Sequence, residues 1–471
     1  MTLAGAAFIM FLAAVYLLWR FAIPGESARK NFLLFASYVF YCTWDAHLAV
    51  VLMLTTVVQW WLGSRIETAA SVIQKRRLVG VSVAYGLTLL GYFKYAGFFL
   101  DSLKELLSNI GFDTGGMVLD IAAPIGISFY TFQSLTYTLD IYRGHERATR
   151  NLRDFALFLA FFPHVTAGPI ARARRLLPQL DSPSYRGPLE AEAVYLLARG
   201  LVKKIAIADV LAAQFVQPAF GEPGAWSATF LLVAVAAYSF QIYMDLSGYT
   251  DLARGAARLF GYQLDINFDR PYLSRTVSNF WQRWHISMSS FFREYLYFSL
   301  GGTRRGNVYV NLMVTFIAIG MWHGAGWNFI VYGFVHGSMV CFERLRRTHR
   351  VASGLAALAP GKMAALAGLL KTFVFVALAR VLFVESDLGG ALEFFSRLVA
   401  PTGAGGAAGA QGYVTLAIAA LLHVLPRSLE RRVALSLFSL PSPVQAVGMV
   451  GLTYMLVVLA SDVQPFVYFR F

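Results

Sequence analysis

Charge is scarce in this chain. Asp, Glu, Lys and Arg together make up 14% of its 471 residues, where soluble domains carry roughly 25%. Acid is the scarcer sign: 26 Asp and Glu face 40 Lys and Arg, for a net charge of +14. Cysteine is almost missing. Cys42 and Cys341 both sit in apolar stretches, which argues against a disulfide framework, and without CxxC or zinc spacing no metal site is read. No fold motif of a nucleic-acid binder accompanies the basic excess, so nucleic acid is not an expected partner. Residues 5–23 lack a basic region ahead of their apolar run and a clear small-residue cleavage site. They read as a retained first span, not a signal peptide. No internal repeat and no soluble domain stand out.

What abounds is apolar sequence, at 57% of residues. Apolar segments run through 5–23, 31–44, 47–64, 78–100, 119–139, 190–215, 227–245, 307–322, 326–342, 363–384, 412–426 and 443–461. At roughly 20 residues per bilayer crossing, they predict about eleven or twelve transmembrane helices. The expected fold class is therefore an all-α integral membrane protein. The basic excess then reads as the positive-inside signal, meeting anionic lipid headgroups. Arg65, Lys75, Arg76 and Arg77 mark loop 64–77 as cytoplasmic. Arg344, Arg346, Arg347 and Arg350 do the same for 342–350, and Arg427, Arg431 and Arg432 mark a third loop. Loops 101–117, 216–226 and 385–411 carry few basic residues and should face outward, as should the N-terminus. The Gly/Ala-rich piece 402–411 reads as a flexible outer loop.

Two regions do not behave as plain spans. Residues 140–190 mix Arg143, Arg147, Arg150 and Arg153 with an apolar stretch, and 246–305 is polar, aromatic and basic. Such backbone survives at membrane depth only where protein buries it or water reaches it. Re-entrant or interfacial helices lining a cytoplasm-facing cavity are expected there.

Ionisable residues inside a membrane are expensive, about 2.5–3.5 kcal/mol at a helix centre, and so are candidates for function. His323 lies in "GMWHGAGWNFIVYG", flanked by Gly320, Gly324 and Gly326, which allow close approach of a backbone or a substrate. A neutral imidazole can exchange protons near pH 7; a helix-packing His is the other reading. His285 lies in "NFWQRWHISMSSFFREYLYFSLGG". Phe280, Trp281, Trp284, Met288, Phe291 and Phe292 form one side of that segment. Arg283, Ser287, Ser290, Arg293 and Glu294 lie elsewhere, the pattern of an interfacial helix. Asp245 and Asp251, in "YMDLSGYTDLARG", suggest a span ending or unwinding near Asp245. Pairing with neighbouring basic residues explains them better than a metal. In "PIGISFYTFQSLTYTLDIYRG" (124–144), Gln133, Ser134, Thr136 and Thr138 are placed to bond between helices.

These segments together resemble the membrane-bound O-acyltransferases (MBOAT) of the alginate O-acetylase type. "FWQRWHISMSSFFREYLYFSLGG" and "GMWHGAGWNFIVYGFVHG" look like the two family signatures. "PIGISFYTFQSLTYTLDIYRG", "FFPHVTAGPIARARRLLPQL" and "MDLSGYTDLARG" are similar in content and order, and the resemblance covers nearly the whole chain. Arg470 and His164 depart from it. The resemblance implies one membrane domain: N-terminal helices 1–118, a catalytic core 119–345 and C-terminal helices 346–471, in a ring around a cytoplasmic funnel. It implies acyl transfer from a thioester to a hydroxyl, with His323 as the essential catalytic residue and His285 as the second signature position. Arg283 and Arg293 become candidates for the donor's phosphates, with lipid headgroups as the alternative. No permanently bound cofactor is expected, and acetyl-coenzyme A is the expected donor. The implied setting is the bacterial inner membrane, multi-pass. The implied partners are an extracytoplasmic acetyltransferase and a polysaccharide acceptor such as alginate. The rivals are a D-alanyl transferase for teichoic acids and a transporter or flippase, whose broken helices would look similar.

Overall fold

Short polar side chains start many of the helices. Asp45 accepts from the backbone N–H of His47 and Leu48 at 2.7 and 3.3 Å. Ser71 caps at Gln74, Asn151 at Arg153 and Thr276 at Asn279. Asn307 caps at Tyr309 and Val310, and Asp387 at Gly390. Each satisfies donors that a helix N-terminus leaves open. The computed structural model describes all residues except 113–114, 116–118, 120, 167, 182–188, 354–360, 404, 442–443, 445–447, 449–450, 452–453 and 455–471.

The described residues form helices and no strand; Trp226 and Gly405 make an isolated bridge. The first helices are α1 (Ala6–Leu17), α2 (Glu26–Cys42), α3 (Ala46–Thr68), α4 (Val72–Leu90), α5 (Ala96–Asn109), α6 (Ile127–Tyr142), α7 (Leu152–Ala160) and α8 (Ala173–Asp181). Then come α9 (Leu189–Leu201), α10 (Gln217–Gly221), α11 (Ala228–Leu259), α12 (Val277–Arg283), α13 (Ile286–Phe291), α14 (Val308–His323) and α15 (Trp327–Ala352). The last are α16 (Lys362–Ala379), α17 (Val381–Val384), α18 (Leu388–Val399), α19 (Ala410–Val424) and α20 (Arg427–Phe438). The chain is an all-α membrane protein. Among the described residues, four stretches are long and apolar enough to cross a bilayer: Ala46–Thr68, Val72–Asn109, Ala228–Leu259 and Lys362–Val384. Ala6–Ala22, Val308–His323 and Ala410–Val424 are shorter apolar helices. The larger number of crossings read from apolar runs is not reached by these criteria. Residues 119–126 precede helix α6, and 190–215 is divided among α9 and π-helical pieces. The run 443–461 lies largely outside the described residues, and Arg470 wholly so.

The chain divides into two compact units: Met1–Ala193 with Ala253–Asp265, and Val194–Leu252 with Ile266–Phe471. In the first, α6 is buried along nearly its whole length. Gly126 starts it at φ +70°, the left-handed region that a side chain would resist. Gln133 donates to the Phe158 carbonyl at 2.6 Å, and Thr138 meets Ser82, which donates to Gln59. These are the interhelical bonds expected of α6. Ser134 and Thr136 instead bond back to Thr131 and Gln133 of their own helix.

In the second unit, α14 and α15 form a hairpin in close backbone contact. A Cβ on Gly320 would strike the Phe329 carbonyl, and one on Gly333 the Phe316 carbonyl. Small residues at such positions let membrane helices approach. The glycines near His323 thus admit this chain's own backbone and the Phe329 ring. The expected break near Asp245 is absent: α11 runs through it unbroken. The reason is charge pairing. Asp245 meets Lys204 at 2.9 Å, and Asp251 meets Arg199 and Lys203 at 2.6 and 2.7 Å. Satisfied carboxylates need no solvent, so the helix continues past them.

Candidate active site

Position 285 is a joint. Residues 277–291 carry an apolar pattern long enough for one helix, yet α12 stops at Arg283 and α13 begins at Ile286. His285 sits between them at φ +46°, left-handed and not glycine. Such a residue costs on the order of 1–3 kcal/mol and persists only where its surroundings enforce it. Asn267 enforces it here. Its carbonyl accepts from the N–H of Ile286 at 2.8 Å, and its side chain accepts from the N–H and hydroxyl of Ser287 at 3.0 and 2.9 Å. Ser289 donates its hydroxyl to the Trp284 carbonyl at 3.0 Å. On the other side, Glu343 of α15 accepts from the backbone N–H of Val277 and Ser278 at 2.6 and 2.9 Å. It holds the start of α12.

His323 ends α14, and both imidazoles are buried. They share a neighbour. The Trp322 ring lies 5.3 Å from the His285 ring and 5.0 Å from the His323 ring, edge-on in both cases. The two imidazole centres are therefore no farther apart than the sum of those distances. Phe383 and Tyr332 also lie against His323, at 5.1 and 6.0 Å. Asn328 ties the start of α15 to the end of α17, donating to the carbonyls of Leu382 and Glu385 at 3.2 and 2.8 Å.

A cavity of about 250 Å³ lies among α12, α13, α14 and α15, and neither histidine nor Trp322 is among the residues that line it. Trp281, Phe316, Ile319 and Val340 give it an apolar wall; Ser278, Ser289, Ser290 and Thr315 add hydroxyls, and Arg293 adds a charge. Ile286 follows His285 directly, and Ile319 stands one helical turn before His323. Pockets for drug-sized ligands span about 300–1,000 Å³, so this space lies just below that range.

A match to the family model described as MBOAT, the membrane-bound O-acyltransferase family, covers residues 43–376. The chain belongs to this family. It is 40% identical to a Pseudomonas aeruginosa protein named probable alginate O-acetylase, over 71% of this chain and 64% of that one. The match thus spans less than two thirds of that relative's length. A Helicobacter pylori peptidoglycan O-acetyltransferase is 33% identical over 79% of this chain and 74% of its own. A Streptococcus thermophilus teichoic acid D-alanyltransferase is 29% identical over 55% and 68%.

In this MBOAT chain His285 and His323 meet across one indole. The two arginines part company: Arg293 lines the cavity, whereas Arg283 does not. Asp245 and Asp251 are held in ion pairs. His423, which sequence position suggests is an ordinary residue near a loop, is buried. It accepts from the Tyr272 N–H at 3.1 Å and packs on the rings of Tyr243 and Tyr272 at 4.8 and 4.9 Å. Sequence reasoning passed over Asn267, His336, Glu343 and Arg380. Arg380 had a signal, an arginine inside the apolar run 363–384. His336 stands in "YGFVHG", yet only the fold brings it onto Trp281, whose indole donates to it at 3.2 Å.

Proposed function

We propose that this protein is a membrane O-acyltransferase that takes an acetyl group from a cytoplasmic thioester and delivers it for O-acetylation of an extracytoplasmic polysaccharide such as alginate. One observation carries the reading: two buried histidines share the Trp322 ring, and Ile286 and Ile319, near them in the chain, line a cavity that Arg293 also lines. The relatives named for alginate and peptidoglycan O-acetylation support the substrate class. The setting is the bacterial inner membrane, and a separate extracytoplasmic acetyltransferase completes transfer onto the polymer.

In this mechanism the cavity takes the pantetheine arm of acetyl-coenzyme A. Arg293 meets the donor's phosphates, a charge-assisted contact; Arg283 is the weaker candidate. A nitrogen of His323 accepts the proton of the acceptor hydroxyl while its oxygen bonds to the acyl carbon. The carbonyl electrons move onto oxygen. Collapse re-forms the carbonyl and breaks the carbon–sulfur bond, and the imidazolium returns the proton to the thiolate. General-base assistance of this kind is worth about 10²–10⁴-fold. His285 orients the acceptor or polarises the thioester carbonyl.

The test is transfer of labelled acetyl from acetyl-coenzyme A in membranes, with and without the extracytoplasmic partner. Label appearing in polymer only when this protein and its partner are both present is the expected result. Label arriving from a D-alanyl carrier protein and not from the coenzyme would replace this reading with D-alanyl transfer.

A further inference from the structure

Arg380 is a buried cation that no carboxylate balances among the described residues. Its side chain is 1% exposed, inside the apolar stretch Lys362–Val384. One guanidinium nitrogen, Nη1, donates to the Ser239 carbonyl at 3.4 Å and to the Tyr272 hydroxyl. The other, Nη2, has no partner, and no carboxylate among the described residues pairs with the group. Three rings enclose it instead: Trp284 at 4.4 Å, Tyr272 at 5.1 Å and Phe280 at 5.7 Å. A buried charge without a counter-ion destabilises a fold, so its place is explained by a ligand better than by packing.

Two further buried atoms in the same aromatic cluster lack partners: Nε2 of His336 and Nδ1 of His423. Their protonation follows from what the opposite nitrogen does. Nδ1 of His336 accepts from the Trp281 indole, so a neutral ring carries its proton on Nε2. Nε2 of His423 accepts from the Tyr272 N–H, so the proton sits on Nδ1. All three unpartnered atoms are therefore donors. His336 shares the Phe280 ring with Arg380, and His423 shares the Tyr272 ring. The cluster adjoins the histidine pair: Tyr332 lies 4.4 Å from His336 and 6.0 Å from His323, and Trp284 directly precedes His285.

We propose that Arg380, with His336 and His423, forms a donor-only site for a negatively charged oxygen group of the substrate. Two sources have this chemistry: the oxyanion that develops on the acyl carbonyl, and a carboxylate carried by the acceptor. The proposal rests on the acyl-transfer reading, and its test has a readout that does not. Acetate is the probe, with neutral acetamide of the same shape as control. Acetate should raise the unfolding midpoint of the purified wild type where acetamide does not, and Arg380→Gln should abolish the difference. Acetate stabilisation that persists in Arg380→Gln overturns the site, whatever the fate of the acetyl-transfer assay. Loss of the assay alone, with acetate binding intact, overturns only the acyl-transfer reading.

Kinetics separate the two sources. A kcat lowered about 10²–10³-fold at unchanged KM assigns the oxyanion. A KM for acceptor raised about tenfold or more at near-normal kcat assigns the carboxylate. Neither change overturns the proposal. If Arg380→Gln does not fold, His336→Gln decides; it keeps an acceptor for Trp281 and should weaken acetate stabilisation severalfold, and unchanged stabilisation overturns the site.

Discussion

His323 and His285 carry unequal demands. In the proposed mechanism His323, at a helix end, exchanges a proton, and His285, in a left-handed joint, orients or polarises. His323→Ala is therefore expected to abolish polymer acetylation while leaving the protein abundant and membrane-inserted. His285→Ala should lose less, because water or backbone donors supply part of its role. Labelled transfer at matched expression is the measurement, and near wild-type transfer by His323→Ala would end the general-base assignment. His349, exposed on α15, is the neutral control. His423 is unsuited to that purpose because its ring packs in the interior and accepts a backbone hydrogen bond. His285 and His323 were legible in the sequence as candidates, from the motifs around them. Their common contact with Trp322 was not, because positions 285 and 323 are joined only by folding.

Among the elements, the end of α17 is where charge and burial compete. Glu385 is half-buried, and desolvation first, then Asp387 and Glu393, push its carboxyl up to about 7. The unfolded chain ionises near the ordinary carboxylate value of about 4.3. As pH rises through the interval between these values, the unfolded state loses its proton first, so the fold loses stability. Above about 7 the loss is complete. Glu385→Gln should thus unfold at a higher temperature than wild type at pH 8 and differ little at pH 4. A wild-type midpoint that does not fall relative to Glu385→Gln across that range would show that the carboxyl is not held protonated. The apolar runs 47–64, 227–245 and 363–384 were legible in the sequence, and helices long enough to span cover them. The continuity of α11 through Asp245 was not, since Lys204 comes from a distant part of the chain.

At the level of the whole molecule, the basic loops decide orientation. The basic segments 64–77 and 342–350, read from the sequence as loops, lie largely in the ends of α3, α4 and α15; they are expected in the cytoplasm and 101–117 outside, since basic segments are retained on the inner side. Single cysteines at 76, 346 and 105, probed with an impermeant thiol reagent on intact cells, test this. Position 105 should label and the other two should not; strong labelling at 76 or 346 reverses the orientation. Among the described residues, α14 begins and α15 nears its Arg-rich end on the same side of their hairpin, where the Cys341 thiol meets the Tyr309 carbonyl at 3.6 Å. Arg293 lines a cavity against that hairpin.

The sequence by itself determined the class of the molecule. Long apolar runs with few charges leave helices as the means of satisfying backbone groups in lipid, and ordered motifs placed the chain in its family. Tertiary structure alone decided the site's detailed surroundings. The joint at His285 depends on Asn267, the start of α12 on Glu343, and the donor cluster on Arg380, His336 and His423. Hydrophobic periodicity records which face of a helix is buried, but not which distant polar atom it meets there. Those partners are chosen by packing, so no local pattern in the chain announces them.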